Sequence, residues 1–205
     1  MAKNKIKTFK TPIIAGKYKG KQILIPSADI TRSSKSILRE SLFNTIAFDV
    51  VDSNFVELFA GSGSVGLEAL SRGAKRAIFI EKDRNIYEIL QKNIQNIDSK
   101  NSTAYNGDIF ELFDMIYKDL KAKNEPTIFY LDPPFSIREG MEDIYEKIIN
   151  LIKKIKDDFV KYVIVEHMSS VELPQNIGKL QKIKFRKFGK SALTYYKLKE
   201  EDEES

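Results

Sequence analysis

The fold of this chain is decided by one stretch, Phe55-Val56-Glu57-Leu58-Phe59-Ala60-Gly61-Ser62-Gly63-Ser64-Val65-Gly66. Its first residues form a short, largely apolar run that predicts a buried strand, and its three glycines predict a tight turn. Residues 65–70 then predict the start of a helix that packs back on the strand. The stretch therefore predicts the strand, glycine loop and helix that open a nucleotide-binding α/β fold.

The glycine loop alone is compatible with two cofactors. Its spacing, with Glu81 about twenty residues after the first glycine, satisfies the fingerprint of an NAD site. Glu57 favours S-adenosylmethionine instead, because a carboxylate four residues before the loop would repel a pyrophosphate and attract a cationic methionine group. The candidates for binding this cofactor at the loop are Glu57, Phe59, Gly61 and Gly63.

Composition excludes several kinds of chemistry. The 205 residues suffice for one domain with a small addition, and 42% of them are hydrophobic, as in ordinary globular proteins. No apolar run approaches the length of a membrane span, so we expect a cytoplasmic protein. There is no cysteine and one histidine, His167, so thiolate sites and a cysteine nucleophile are excluded and a metal-free mechanism is favoured.

Positive charge is concentrated near the N-terminus. Residues 1–52 carry ten Lys and Arg against four Asp and Glu, whereas residues 53–205 carry 24 against 25. Residues 200–204 are all acidic, which predicts a disordered tail over 200–205. We divide the chain into a basic N-terminal extension over 1–52, a core over 53–199 and this tail, and we expect a polyanionic partner.

The N-terminal extension combines a hairpin and a helix. Residues 1–11 lack periodicity and predict a flexible arm. Residues 12–26 contain two apolar runs around a basic, glycine-bounded turn, which predicts a β-hairpin with Lys17, Lys19 and Lys21 near its tip. A helical pattern from about residue 34 to 48 leads into the core.

Strands and helices alternate through the core. Apolar runs predict further strands over 77–80, 103–105, 127–131 and 162–165, separated by helical patterns. Two strands over 182–188 and 192–198 with no helix between them predict a closing antiparallel hairpin. The sequence therefore predicts an α/β fold with a mostly parallel sheet of seven strands, the last one antiparallel.

The most specific motif follows the strand over 127–131: Asp132-Pro133-Pro134-Phe135. Two prolines fix the turn and remove backbone donors, while an ionised Asp132 only accepts hydrogen bonds. Such a site suits a planar base with an exocyclic amine, whose two N–H groups are accepted while Phe135 stacks on the ring. The motif predicts methyl transfer to an amine, with Asp132, Pro133, Pro134 and Phe135 as the catalytic candidates.

Two further acidic residues follow strands of the same sheet. Glu81 is placed to accept both ribose hydroxyls of the cofactor, and Asp108 to accept the adenine amine, with Ile109 beside it. Each could instead be only a helix cap. The absence of cysteine excludes the usual route to carbon-5 methylation of pyrimidines, so methylation of an amino group remains.

At this point the sequence resembles a known family. The run over 57–74 together with residues 132–135 is similar to the RsmD-type methyltransferases, which methylate a guanine N2 of 16S ribosomal RNA with S-adenosylmethionine, and residues 13–20 and 39–44 are similar to the hairpin and helix of that family. The resemblance covers nearly all of residues 12–198. It implies a class I methyltransferase, a substrate within a partly or fully assembled small ribosomal subunit, and RNA contacts from Lys17, Lys19, Lys21, Arg32 and Arg39.

Three alternatives stay open at the level of sequence. Adenine N6 methyltransferases of DNA or RNA share the Asp-Pro-Pro-Phe motif. An inactive nucleotide-binding RNA-binding module would leave that motif unexplained. An NAD oxidoreductase predicts stabilisation by NAD and none by S-adenosylhomocysteine.

Overall fold

The computed structural model describes residues 6–27, 32–134 and 143–199. The N-terminal part contains two antiparallel strands and a helix, namely β1 (Thr8–Pro12), β2 (Gln22–Pro26) and α1 (Arg32–Thr45). The rest alternates strands and helices: β3 (Asn54–Leu58), α2 (Ser64–Ser71), β4 (Arg76–Glu81), α3 (Arg84–Ile97), β5 (Ser102–Asn106), α4 (Ile109–Lys123), β6 (Thr127–Leu131), α5 (Ile144–Ile152), β7 (Val160–Met168), β8 (Asn176–Ile177), β9 (Leu180–Phe188) and β10 (Ser191–Leu198).

The central sheet has the strand order β5-β4-β3-β6-β7-β10-β9-β8 in the described residues. Strands β3 to β7 are parallel, and β10 runs antiparallel to both β7 and β9. The predicted parallel sheet with an antiparallel last strand is therefore correct for its seven long strands. The two-residue β8 adds an eighth strand at the edge, and so short a strand leaves no periodic signal in the sequence.

Two apolar clusters cover the two faces of the sheet. One cluster joins α1, α2 and α3 to the face that carries Phe55 and Tyr130, and the other joins α4 and α5 to the face that carries Val56 and Phe129. Both faces of β3 and β6 are buried. This burial explains why these parallel strands are continuous apolar runs rather than alternating ones.

The N-terminal hairpin differs from its prediction. Strand β1 spans Thr8–Pro12, so part of the segment predicted to be a flexible arm is paired with β2. The apolar residues after Pro12 leave the strand because Ile13 is buried in the core and the amides of Ile14 and Ala15 donate to the side chain of Glu68. A carboxylate far along the chain thus decides where β1 ends.

The hairpin and α1 share one core with the sheet. Ile13, Ile23 and Leu42 are buried in the same cluster as Phe55 of β3. Residues 1–52 are therefore packed on the core over the described part of that range. Among the described residues, no helix is both long and apolar enough to cross a membrane.

Candidate active site

The carboxyl ends of the parallel strands meet at one edge of the sheet, called here the carboxyl edge. Glu81 is the last residue of β4, Asp108 follows β5, and Asp132 follows β6 directly. Leu58 of β3 is in register with Ile80 of β4 and with Leu131 of β6, which places the ends of these strands side by side. The structure therefore places the predicted acidic residues along a single edge.

Glycine is required in the loop between β3 and α2. Gly61 and Gly63 have φ values of 54° and 76°, in the left-handed region. A Cβ on Gly63 would lie 2.5 Å from the Leu90 side chain, so this glycine permits close packing. A Cβ on Gly61 would meet nothing within 4 Å, and the loop therefore leaves room for a ligand at Gly61.

Glu57 points at the start of α2, as predicted from its place before the loop. Its carboxylate accepts hydrogen bonds from the backbone N–H groups of Val65 (3.3 Å) and Gly66 (2.8 Å). Burial raises the pKa of Glu57 to about 8; the charge of Asp132 adds to the rise and the two amides oppose it. Glu57 is therefore readily protonated near neutral pH, and a cationic ligand would favour its ionised form.

Glu81 connects the glycine loop to the start of α3. One carboxylate oxygen accepts from the Gly61 N–H (2.8 Å) and the other from the Asp83 N–H (2.7 Å). The side chain is only partly buried, and each oxygen keeps a further acceptor position. Burial raises the pKa of Glu81, against the effect of the two amides. Its geometry is compatible with the predicted acceptance of two ribose hydroxyls.

Asp108 caps α4, which is the alternative that the sequence left open. Its side chain accepts from the Phe110 N–H (2.9 Å) and from Lys82 Nζ (2.8 Å). Desolvation opposes ionisation, but Lys82 and the amide outweigh it and lower the pKa of Asp108. Asp108 and Phe110 also line an open groove of about 480 Å³ between α4 and α5, so Asp108 stays accessible while it caps the helix.

Phe59 and Phe110 form an aromatic pair beside the loop, with ring centroids 6.2 Å apart in an edge-to-face arrangement. Phe59 has a φ of 62°, a conformation that residues other than glycine rarely adopt. Ile109, which was predicted beside Asp108 at the adenine, has its side chain buried in the core, at 4% exposure. Phe110 was not predicted as a site residue, because in the sequence it is one apolar position of a helix.

Asp132 lies at the centre of a charged cluster. Lys35 Nζ of α1 is 3.1 Å from Asp132 Oδ2 and 3.9 Å from Oε1 of Glu166 on β7. Tyr130 Oη donates to the other oxygen of Glu166 at 2.6 Å. Asp132 itself is about a quarter exposed, whereas Glu166 is buried. Asp132 is therefore accessible to a substrate. Lys35 pairs with its carboxylate, and the hydrogen-bonded side chains of Glu166 and Tyr130 are buried.

Sequence reasoning missed Glu166. The strand was predicted to end at Val165, but β7 continues to Met168, and since Leu131 is in register with Val165, Glu166 lies beside Asp132. Burial and the charge of Asp132 raise the pKa of Glu166 to about 7. An acidic residue directly after an apolar run was the available signal, as at Glu81 and Asp132.

The rest of the Asp-Pro-Pro-Phe motif is only partly described. Pro133 is buried and Pro134 half-buried, directly after Asp132. Phe135 lies outside the described residues. No group of three or more metal-binding side chains is found in the described ranges.

The predicted RNA-binding lysines are exposed, but they lie far from Asp132. Lys17, Lys19 and Lys21 occupy the turn between β1 and β2, where the Lys17 N–H donates to Ser71 O and Lys21 Nζ to Asn96 O. Ser71 ends α2 and Asn96 lies in the last turn of α3. Both helices begin at the carboxyl edge, so the turn lies at the opposite, amino edge of the sheet, on the order of 10 to 20 Å away.

The prediction that Arg39 contacts RNA is wrong. Arg39 is 5% exposed, its Nη2 donates to Pro12 O at 3.1 Å, and its Nε lies 3.7 Å from Glu68. Burial lowers the pKa of this guanidinium, and the charge of Glu68 opposes that fall. The sequence gives no sign of this burial, because the hairpin that covers Arg39 is remote along the chain. The side chain of Arg32 lies outside the described residues.

Comparison with known proteins agrees with this geometry. The family model described as conserved hypothetical protein 95 matches residues 11–197. Ribosomal RNA small subunit methyltransferase D of Escherichia coli is 35% identical over 155 residues, which cover 74% of this chain and 72% of that protein. This chain belongs to the RsmD family. The resemblance predicted from the sequence is confirmed.

Solved structures similar to this chain show that it has the class I methyltransferase fold. The structure of yhhF from Escherichia coli matches with a TM-score of 0.72 and 27% identity, covering 94% of this chain and all of that one. An RNA methyltransferase from Salinibacter ruber in complex with S-adenosylhomocysteine matches with a TM-score of 0.56 and 15% identity, covering 82% of this chain and 95% of that one. The predicted fold class is confirmed.

Proposed function

We propose that this chain transfers the methyl group of S-adenosylmethionine to the exocyclic N2 amine of a guanine in small-subunit (16S) ribosomal RNA. The observation that carries the proposal is Asp132, partly exposed at the carboxyl edge beside the glycine loop and followed by two prolines. The name of the Escherichia coli relative supports a small-subunit ribosomal RNA substrate.

The residues of the carboxyl edge fit the proposed cofactor. Gly61 leaves room for its methionine end, Glu57 supplies a carboxylate for the amino group, and Glu81 offers acceptors for the ribose. Phe59, which packs against Phe110 beside the loop, and Asp108, which caps α4, are the proposed contacts of the adenine. When bound, this cofactor supplies an electrophilic methyl group.

Asp132 would hold and polarise the attacking amine. The lone pair of a guanine amine is delocalised into the ring, so the nitrogen is a poor nucleophile. Acceptance of its hydrogens by Asp132 and a backbone carbonyl of the proline turn favours the pyramidal, partly cationic nitrogen of the transition state. Lys35 occupies one oxygen of Asp132, which leaves Oδ1 and the second lone pair of Oδ2 for the substrate.

Glu81→Ala should weaken binding of S-adenosylhomocysteine by about 10- to 100-fold, because two hydrogen bonds to a carboxylate are lost. Isothermal titration calorimetry measures the effect. Asp119→Ala, an exposed carboxylate near the end of α4 that pairs with Lys123, is the matched control and should bind normally. Unchanged affinity of the Glu81 variant would remove this residue from the ribose site.

Affinity for S-adenosylhomocysteine should rise between pH 6 and 7.5, by up to about tenfold per pH unit. Free Glu57, with its pKa of about 8, carries a proton in this range, and the amino group of the ligand favours the ionised form. Binding therefore releases a proton, so higher pH favours the complex. Calorimetry in buffers of different ionisation enthalpy measures the number of protons released on binding. Glu57→Gln should abolish the release, and equal release from both proteins would contradict this role.

Nucleoside analysis of ribosomal RNA tests the choice of base. Small-subunit RNA from cells without this gene should lack N2-methylguanosine at one position, and the purified protein should restore it. Loss of N6-methyladenosine instead would establish the adenine alternative, which shares the Asp-Pro-Pro-Phe motif.

A further inference from the structure

The end of the C-terminal hairpin lies at the same edge as Asp132. Ser191 of β10 is in register with Met168, the last residue of β7, and with Phe188, the last residue of β9. The Gly189–Lys190 turn therefore lies at the carboxyl edge. Three strand spacings separate β6 from β9, which puts the turn about 14 Å from Asp132 along this edge. The N-terminal lysine turn, by contrast, lies at the amino edge.

The hairpin region carries charge of one sign. Residues 173–199 include eight Lys and Arg and no Asp or Glu. Three of the cations are next to the turn: Arg186, Lys187 and Lys190, all exposed. None of the ion pairs within 6–27, 32–134 and 143–199 involves these three. Among the described residues, therefore, no carboxylate forms an ion pair with them, although Glu40 lines the same groove as Arg186.

Apolar surface and an open groove accompany these cations. Ile183 and Phe185 of β9 are each about half exposed, and Phe185 contacts the ring of His167, with centroids 6.2 Å apart. On the other face of β9, Arg186 and Lys184 line a groove of about 470 Å³ against α1. Exposed aromatic and basic side chains on one strand suit single-stranded nucleic acid, whose phosphates and bases they bind.

We propose that the end of the C-terminal hairpin, through Arg186, Lys187 and Lys190, binds the RNA phosphates that flank the methylated nucleotide. The proposal rests on the proposed function and adds the path of the substrate. An RNA strand with its target base at Asp132 passes over the ends of β7 and β10 to reach these cations. The lysine turn at the amino edge contacts more distant RNA.

Charge neutralisation at the hairpin tests this path. The triple variant Arg186→Gln, Lys187→Gln, Lys190→Gln should raise the KM for small-subunit RNA by about tenfold or more, with kcat within about twofold. In filter binding, the negative slope of log affinity against log salt should become shallower by about 2, since each lost contact to a single-stranded phosphate removes about 0.7 from its magnitude. The matched control is Lys161→Gln, Lys179→Gln, Lys199→Gln, which removes three exposed charges from the amino edge of the same strands.

Two outcomes overturn the proposal: normal KM and salt dependence for the hairpin variant, or equal losses for the hairpin and control variants. Filter binding does not require methyl transfer, so it tests the RNA path even if the unmodified protein leaves small-subunit RNA unmethylated. Failure of the unmodified protein to methylate small-subunit RNA would refute the proposed function. Thermal melting of both variants shows whether either change affects folding.

Discussion

Asp132→Ala should lower kcat for RNA methylation by about 10³-fold, which is about 4 kcal/mol at the transition state. Removal of the carboxylate deprives the amine of its acceptor when its nitrogen becomes cationic. Affinity for S-adenosylhomocysteine should change by less than about threefold, because the contacts of Glu57 and Glu81 with the loop do not involve Asp132 and the charge of Asp132 is only a minor cause of the raised pKa of Glu57. Single-turnover methylation and calorimetry measure the two effects separately.

Asp132→Asn and Asp114→Ala complete this test. Asparagine keeps one acceptor oxygen but introduces an N–H donor, so the kcat of this variant should still be about 10²-fold lower than that of the unmodified protein. Asp114 lies exposed on α4, paired with Lys154, and its replacement should leave catalysis unchanged. Near-normal turnover in Asp132→Ala would refute the acceptor role of this residue.

Glu68→Ala should lower the free energy of unfolding by about 3 to 5 kcal/mol, the cost of breaking a buried charged network. Glu68 is fully buried and accepts from the Ile14 N–H (2.8 Å), the Ala15 N–H (3.0 Å) and Arg72 Nε (2.8 Å). Its loss would leave Arg39 without its buried partner. In a chain of this size, 1 kcal/mol corresponds to roughly 2 to 4 °C in Tm, so melting should fall by about 10 °C.

The matched control is Glu146→Ala, an exposed carboxylate on α5, which should unfold within about 0.5 kcal/mol of the unmodified protein. The free energy of unfolding of Glu68→Gln, which keeps one acceptor oxygen, should lie between those of Glu68→Ala and the control. Urea unfolding measures this free energy for all three variants. Equal stability of Glu68→Ala and the control would contradict the view that this carboxylate anchors the N-terminal turn to α2.

The sequence predicts the core elements well because parallel strands buried on both faces are continuous apolar runs. An acidic residue at the end of such a run, as at Glu81 and Asp132, indicates the ligand edge. The structure brings these residues together because their strands are adjacent and in register. Local pattern and topology thus suffice for this part of the candidate site.

Contacts between remote segments set the limit of sequence prediction. Glu68 has the local pattern of a helix interior, yet it fixes where β1 ends, and Arg39 becomes buried only because the hairpin covers it. Lys35 gives no sign in the sequence that it pairs with Asp132, 97 residues away. These roles depend on three-dimensional packing, and no local periodicity encodes them.

The most direct test of the central claim uses the purified protein with methyl-labelled S-adenosylmethionine. Its substrate is small-subunit particles, and separately their naked RNA, from cells without this gene. Mass spectrometry of the digested RNA should find the label in N2-methylguanosine at one position, and Asp132→Ala should lose it. Label in N6-methyladenosine, or undiminished N2-methylguanosine with Asp132→Ala, would contradict methyl transfer to a guanine amine held by Asp132.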